Sequence, residues 1–411
     1  MSTKKDKLLL IILSAMMLVS ACGDEGSITV TYNSSAPAVS ATPEQTATPS
    51  PTVSPTPSPT PVPTVDPLDD LISKMSDKEL VGQVVMIGFE GTGDMDSESR
   101  KLMQEYSVGS VLLFGWNTDT FSQTKSLIKK VNSHNKSDIP LLMGIDLEGG
   151  SVTRFVGQWK PSLNSAQKLG QTGDPNRVYE QYKRIGEKLV DTGFNINFAP
   201  VLDIARNPSS TFLGNRMFGT KPEKVVPLVT EAVRGLHDAG IAALGKHFPG
   251  HGDTASDSHK TLPVIKATLE DMQSYSLVPF QAAIDEGVDA MLVAHLSYPR
   301  VDSEYITSIS PTIITKILRE QMGFEGVVFS DDLRMQGLRK HYSAGEGAVL
   351  HILAGGDVVL IGGKKSYNNL KKQVLSSLYK AVQQGKIPRE RLEQSVRRIL
   401  KMKQKYCGLV L

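Results

Sequence analysis

Ile241-Ala242-Ala243-Leu244-Gly245-Lys246-His247-Phe248-Pro249-Gly250-His251-Gly252-Asp253-Thr254-Ala255-Ser256-Asp257-Ser258-His259 changes character partway along. Its first four residues are an apolar run that reads as a buried strand. The fourteen from Lys246 onward hold one lysine, three histidines and two aspartates, broken by two glycines and a proline. Three imidazoles and two carboxylates in one segment can move protons near neutral pH. Pro249, Gly250 and Gly252 disfavour a helix through the first half, so an irregular loop is expected. A strand that delivers a polar loop is the layout of an active site built on a scaffold.

Working outward, apolar β-branched runs recur at 81–87, 108–114, 141–145, 194–198, 241–244, 290–294, 326–329 and 358–361. Between most of them lie segments of helical period, at 121–135, 176–192, 222–239, 269–286, 311–322 and 344–354. Strands alternating with helices imply a parallel sheet with crossover helices. Eight repeats favour an α/β fold of the closed (β/α)8 TIM-barrel type over an open doubly wound sheet. The barrel is expected to span 68–411, with a helical hairpin over 367–405 closing the outside.

In such a barrel the loops after the strands converge over one mouth. Strand three ends in Asp146 and Glu148, followed by Gly149-Gly150 and Arg154; strand four ends in Asp203. Strand five delivers Lys246 and His247, strand six His295, strand seven Ser330-Asp331-Asp332 and strand eight Gly362-Gly363. This set suits a pocket that grips something rich in hydroxyls, because carboxylates accept from hydroxyls while Lys, Arg and His donate to them. Phe155 and Trp159 are expected near the rim, stacked on a sugar face. His295 is expected to face the pocket, Asp203 to brace the segment around Arg216, and Glu148 and Asp332 to support their neighbours. His251 and Asp253 are open between tying the loop together and a larger role.

The N-terminus reads as an address. Lys4, Lys5 and Lys7 precede an apolar run from Leu8 to Val19 and then Ser20-Ala21-Cys22, the order of a secretory signal peptide over 1–21. Val19-Ser20-Ala21-Cys22 also resembles the lipobox of bacterial lipoproteins. By that resemblance, cleavage would precede Cys22, which would carry lipid and anchor the chain to the membrane from outside the cytoplasm. Residues 22–67, rich in Pro, Thr and Ser, are expected to form a disordered, extended linker. Only Cys407 then remains, so no intrachain disulfide is available. With 45 basic and 43 acidic side chains, the balance argues against a nucleic-acid partner. No paired CxxC and no phosphate-cradling glycine loop is present, so neither a cofactor nor a metal is expected, and the chain is expected to be a monomer.

Lys246-His247-Phe248-Pro249-Gly250-His251-Gly252-Asp253-Thr254 with Asp257-Ser258-His259 resembles the signature loop of family 3 glycoside hydrolases that act on β-N-acetylglucosaminides. Ser330-Asp331-Asp332-Leu333-Arg334-Met335 is similar to that family's nucleophile segment. Asp146-Leu147-Glu148-Gly149-Gly150 with Arg154 is similar to its sugar-binding segment, and Gly214-Asn215-Arg216-Met217-Phe218-Gly219 to its arginine segment. The resemblance implies Asp331 as nucleophile, His259 paired with Asp257 as general acid/base, and Asp146, Arg154, Arg216, Lys246 and His247 on the sugar. It implies a retaining, exo-acting β-N-acetylglucosaminidase that cleaves terminal N-acetylglucosamine from muropeptides or chitin oligomers through a glycosyl-aspartate.

Within the family, the alternatives are a β-glucosidase or β-xylosidase, or a phosphorylase in which phosphate replaces water. From other classes come a non-catalytic sugar-binding lipoprotein and a metal-dependent amidohydrolase or deacetylase. The metal reading draws on His247, His251, Asp253, Asp257, His259 and His295. Against it, Pro249 and Gly250 keep His247 and His251 from forming the helical His-x-x-x-His pair that aims two imidazoles at one ion, and the loop lacks the strand His-x-His spacing.

Overall fold

Eight parallel strands pair in sequence order and close on themselves, the last bonding to the first. They are β1 (Val85–Ile87), β2 (Ser110–Leu113), β3 (Leu142–Ile145), β4 (Ile196–Asn197), β5 (Ala242–Phe248), β6 (Ala290–Val293), β7 (Val327–Asp332) and β8 (Val358–Ile361). The structure, a computed structural model, describes residues 66–207 and 211–411; the signal peptide, Cys22 and nearly all of the linker fall outside them. The expected (β/α)8 barrel is the observed fold.

Inward side chains fill the barrel and outward ones meet helices, so the strands are apolar on both faces. Of all the strand residues only His247 and Asp331 are not fully buried. Both sit near the C-terminal ends of their strands.

Those two strands share an irregularity. The pairing of β5 with β6 shifts between Gly245 and Phe248, and that of β7 with β8 shifts between Phe329 and Asp332. In a regular strand successive side chains point to opposite faces. A local break in register re-aims them. It lets the neighbours Lys246 and His247, and likewise Asp331 and Asp332, line one pocket. The Ser330 hydroxyl accepts the Leu360 amide at 3.0 Å across the β7–β8 break.

Local signals explain most boundaries. Ser76 and Glu79 form a capping box at the start of helix Asp77–Gln83. Residues 81–83, read above as the start of a strand, are therefore the last turn of that helix. Asp174 and Pro175 open helix Pro175–Thr192, and Gly193 closes it in the left-handed region at φ 108°. The segment 269–286 is broken: Leu269–Asp271, a wider i→i+5 turn over Met272–Ser276, then Val278–Asp285. Asn368–Gln383 and Arg389–Tyr406 form the expected hairpin.

The end of the barrel away from the strand C-termini is sealed by Arg389–Tyr406. Its buried Lys403 donates to Gln83 Oε1 and the Gly109 carbonyl, both at 2.8 Å. Burial depresses the Lys403 pKa to about 7. Helix Pro67–Lys74 lies against this helix, where Arg397 meets Asp66 at 3.0 Å.

Candidate active site

A pocket of about 430 Å³ opens at the C-terminal ends of the strands. Asp146, Glu148, Arg154, Arg216, Lys246, His247, His251, His259 and Asp331 all line it. Roomier clefts of about 780 and 810 Å³ lie elsewhere, the first of them beside Arg397 and the N-terminal ends of β6 and β7.

One wall is a network of charges. Glu148, 2% exposed, takes Arg216 at 2.8 Å through each of two nitrogens and Lys246 at 2.7 Å. Burial alone would raise the Glu148 pKa, but the two cations overcome it and hold the carboxyl at about 2. Lys246 also binds Asp146 at 2.6 Å. Two cations facing two carboxylates hold hydroxyl-binding groups in fixed positions. The Arg154 Nε, buried at this pocket, has no hydrogen-bond partner among the described residues. Such an orphan donor suits a polar ligand.

The glycine-rich turn after β5 is folded around Asp203. One Asp203 oxygen accepts His247 Nδ1 at 2.7 Å and the His247 amide at 3.0 Å; the other accepts the His251 amide at 2.5 Å. Asp203 therefore braces the histidine loop, and Glu148 braces the arginine; the expectation that Asp203 would hold Arg216 is corrected. Arg216 also approaches His247 Nε2 at 3.2 Å. A guanidinium only donates, so Nε2 accepts and Nδ1–H is turned toward Asp203. Gly252 is required here, since a Cβ would stand 1.9 Å from the Ile204 carbonyl oxygen.

Beyond the turn, His259 Nδ1 lies 2.8 Å from Asp257 Oδ1, which also accepts the His259 amide at 2.9 Å. The carboxylate fixes the proton on Nδ1 and leaves Nε2 free at the pocket. The Asp257 pKa is raised by burial and lowered more by His259, so it stays below the ordinary value. At the same pocket, burial at Asp331 is likewise outweighed, by the imidazoles of His295, His247 and His259 and by the Asp332 amide, and its pKa is held down. Asp332 braces a basic neighbour, Arg334, at 2.6 Å.

Several expected positions differ. His295 is fully buried in the barrel wall and satisfied, with Nδ1 2.6 Å from the Ser308 hydroxyl and Nε2 3.1 Å from the Asp332 carbonyl. Phe155 and Trp159 are buried and pack with Phe121, at ring distances of 4.2 Å between Phe155 and Phe121 and 5.3 Å between Trp159 and Phe121. They belong to the core and not to a sugar platform. The aromatic residues in the pocket are Phe114, Phe198, Phe212 and Tyr367, none singled out from sequence. No periodicity marked them; Phe212 was signalled only by lying just before the arginine segment. Asp253 ties the loop together through Arg206, at 2.7 Å to its amide and 2.6 Å to its side chain. Among the described residues, no three His, Cys, Asp or Glu side chains gather as a metal ion requires.

Comparison with known proteins agrees with this geometry. A family model described as glycosyl hydrolase family 3 N terminal domain matches residues 76–402. A β-hexosaminidase of Idiomarina loihiensis is 34% identical over 280 residues, covering 67% of this chain and 83% of the relative. One from Thiobacillus denitrificans is 39% identical over 259 residues, covering 62% and 70%. The structure of a glycoside hydrolase family 3 β-N-acetylglucosaminidase from a Paenibacillus species superposes with a TM-score of 0.78 at 40% identity. That match covers 82% of this chain and 64% of the Paenibacillus chain.

Proposed function

The chain belongs to glycosyl hydrolase family 3 and is a glycosidase of the β-N-acetylhexosaminidase type, and we propose that it removes terminal β-linked N-acetylglucosamine with retention of configuration. One observation carries this reading. Asp331 at the end of β7, its pKa held down, and His259 on the loop after β5, hydrogen-bonded to Asp257, line the same pocket.

Retention needs a nucleophile on one face of the sugar and a proton donor on the other. Asp331 attacks the anomeric carbon and forms a glycosyl-aspartate while the glycosidic bond breaks. Protonated His259 gives its Nε2 proton to the departing oxygen. It then takes a proton from the water that attacks the same carbon and frees Asp331. Asp257 supports the imidazolium formed in each cycle, as a carboxylate does behind a catalytic histidine. Asp146, Arg154, Arg216, Lys246 and His247 hold the sugar hydroxyls. The orphan Arg154 Nε supports a hydroxyl or carbonyl there.

The substrates are wall-derived muropeptides or chitin oligomers, met outside the cytoplasm by an enzyme anchored through a lipid on Cys22. The basic, apolar and small-residue order of residues 1–22 supports the anchor. The decisive experiment is Asp331→Ala assayed on an activated aryl β-N-acetylglucosaminide. Hydrolysis should nearly vanish, and azide should restore turnover as a glycosyl azide of inverted configuration. Near-normal hydrolysis without azide would remove Asp331 from the role.

A further inference from the structure

An unbroken series of hydrogen bonds leads from the sugar-binding wall to the loop that carries the dyad. Arg216 reaches His247 Nε2 at 3.2 Å, and His247 Nδ1 reaches Asp203 at 2.7 Å. Asp203 accepts the His251 amide at 2.5 Å, and His251 Nε2 lies 3.1 Å from the Ser258 hydroxyl. Ser258 stands between Asp257 and His259 in the chain.

The ends of this series differ in freedom. His251 and Ser258 are 1% and 2% exposed, while the His259 side chain is 65% exposed. Among the described residues, Asp257 and His259 have few side-chain ties besides each other: Lys260 Nζ lies 3.7 Å from Asp257, and the Phe212 ring meets the His259 ring edge-on at 6.2 Å. Among the described residues, the Ser258–His251 bond is the one side-chain to side-chain hydrogen bond joining residues 256–260 to the pocket wall. Three bonds to carbonyls of this segment add to it: the Gly337 amide to Ser258 at 3.1 Å, the Gln336 amide to His259 at 3.3 Å and Lys340 Nζ to Lys260 at 3.1 Å.

His251 also carries a cost that packing does not explain. Its Nδ1 is buried without a hydrogen-bond partner among the described residues, an unfavourable state that an apolar residue of similar size would avoid. Its other nitrogen is committed to Ser258.

We propose that His251 and Ser258 are positioning residues that set the Asp257–His259 dyad over the scissile bond, and that they link its placement to His247 and Asp203. This rests on the reading of His259 as acid/base. The bond acts on proton transfer through loop position and leaves the nucleophile untouched. Its loss should fall hardest on substrates whose leaving group needs a proton.

The test compares kcat/KM, which reports glycosylation, for N-acetylglucosaminides with a poor leaving group and with dinitrophenolate. Ser258→Ala should lower the first about tenfold and the second less than about twofold, a fraction of the full general-acid contribution. Azide should raise kcat on the dinitrophenyl substrate and give the retained glycosyl azide, because it needs no base to attack. His251→Leu should match Ser258→Ala, and the double variant should lose no more than either. His251→Gln places an amide nitrogen near the Nε2 position and should recover most of the rate. Circular dichroism checks that each variant is folded; if His251→Leu is not, Ser258→Ala reads the same bond from its other end. Equal losses on both substrates, or none, in Ser258→Ala overturn the proposal. His259→Ala run in parallel separates the failures. Leaving-group dependence there but not in Ser258→Ala sinks the positioning role alone. Its absence in His259→Ala removes the acid/base reading, and this proposal with it.

Discussion

Replacing Glu148 with glutamine keeps the shape of the pocket wall and removes one charge. The depth of its pKa shift sets the expected size. The gap between the ordinary value of 4.5 and about 2 corresponds to about 3 kcal/mol of preference for the ionised form in the folded state. Glu148 is 2% exposed, so solvent screening takes little from this figure. The folded pKa lies below the unfolded one, so the stabilisation is fully present above pH 4.5 and is lost as pH falls through 2. At pH 7, Glu148→Gln should therefore be about 3 kcal/mol less stable than the parent, with a melting temperature lower by on the order of 5 °C. At pH 3 the difference should shrink to about half, because the unfolded parent's carboxyl is by then protonated while the folded one is still mostly ionised. Urea unfolding of both proteins at several pH values measures this, and other carboxylates cancel in the difference. A deficit below about 1 kcal/mol at pH 7, or one that does not change with pH, would refute the charge-network argument.

Asp203→Asn should cost roughly 3 kcal/mol, since it unpairs His247 and weakens two amide bonds in a buried setting. It should also lower kcat/KM on good leaving groups, through His247, and still more on poor ones, through His251, which steady-state assays would show; an effect on stability alone would separate Asp203 from both. Phe155→Ala should destabilise the fold by about 3–5 kcal/mol while leaving KM within about twofold. A raised KM with unchanged urea midpoint would return Phe155 to the sugar site.

Strand positions were legible because an eight-stranded barrel writes its core as repeated apolar runs, and all eight runs lie on or beside the observed strands. Their ends were less legible. β5 and β7 continue through Lys246-His247 and Asp331-Asp332, polar residues that hydropathy assigns to loops. Only the register breaks with β6 and β8 reconcile a strand backbone with those side chains, and pairing is not visible in one strand alone. Residues 81–83 were misread because an apolar helix turn and a strand start look alike over three positions, although Ser76 and Glu79 carried the capping signal. At the site, residue types pointed to the pocket, but partners did not follow from them. His295 and Phe155 carry the right chemistry and face the core, since facing is decided by the turn of the chain and not by composition.

The contact between Arg397 and Asp66 has a directional consequence. The polypeptide enters the domain beside the helix that plugs the floor, whereas the cleft opens at the roof. Whatever holds the upstream chain therefore pulls on the underside. Attaching the enzyme to a bead through residues upstream of Asp66 should leave the mouth unobstructed.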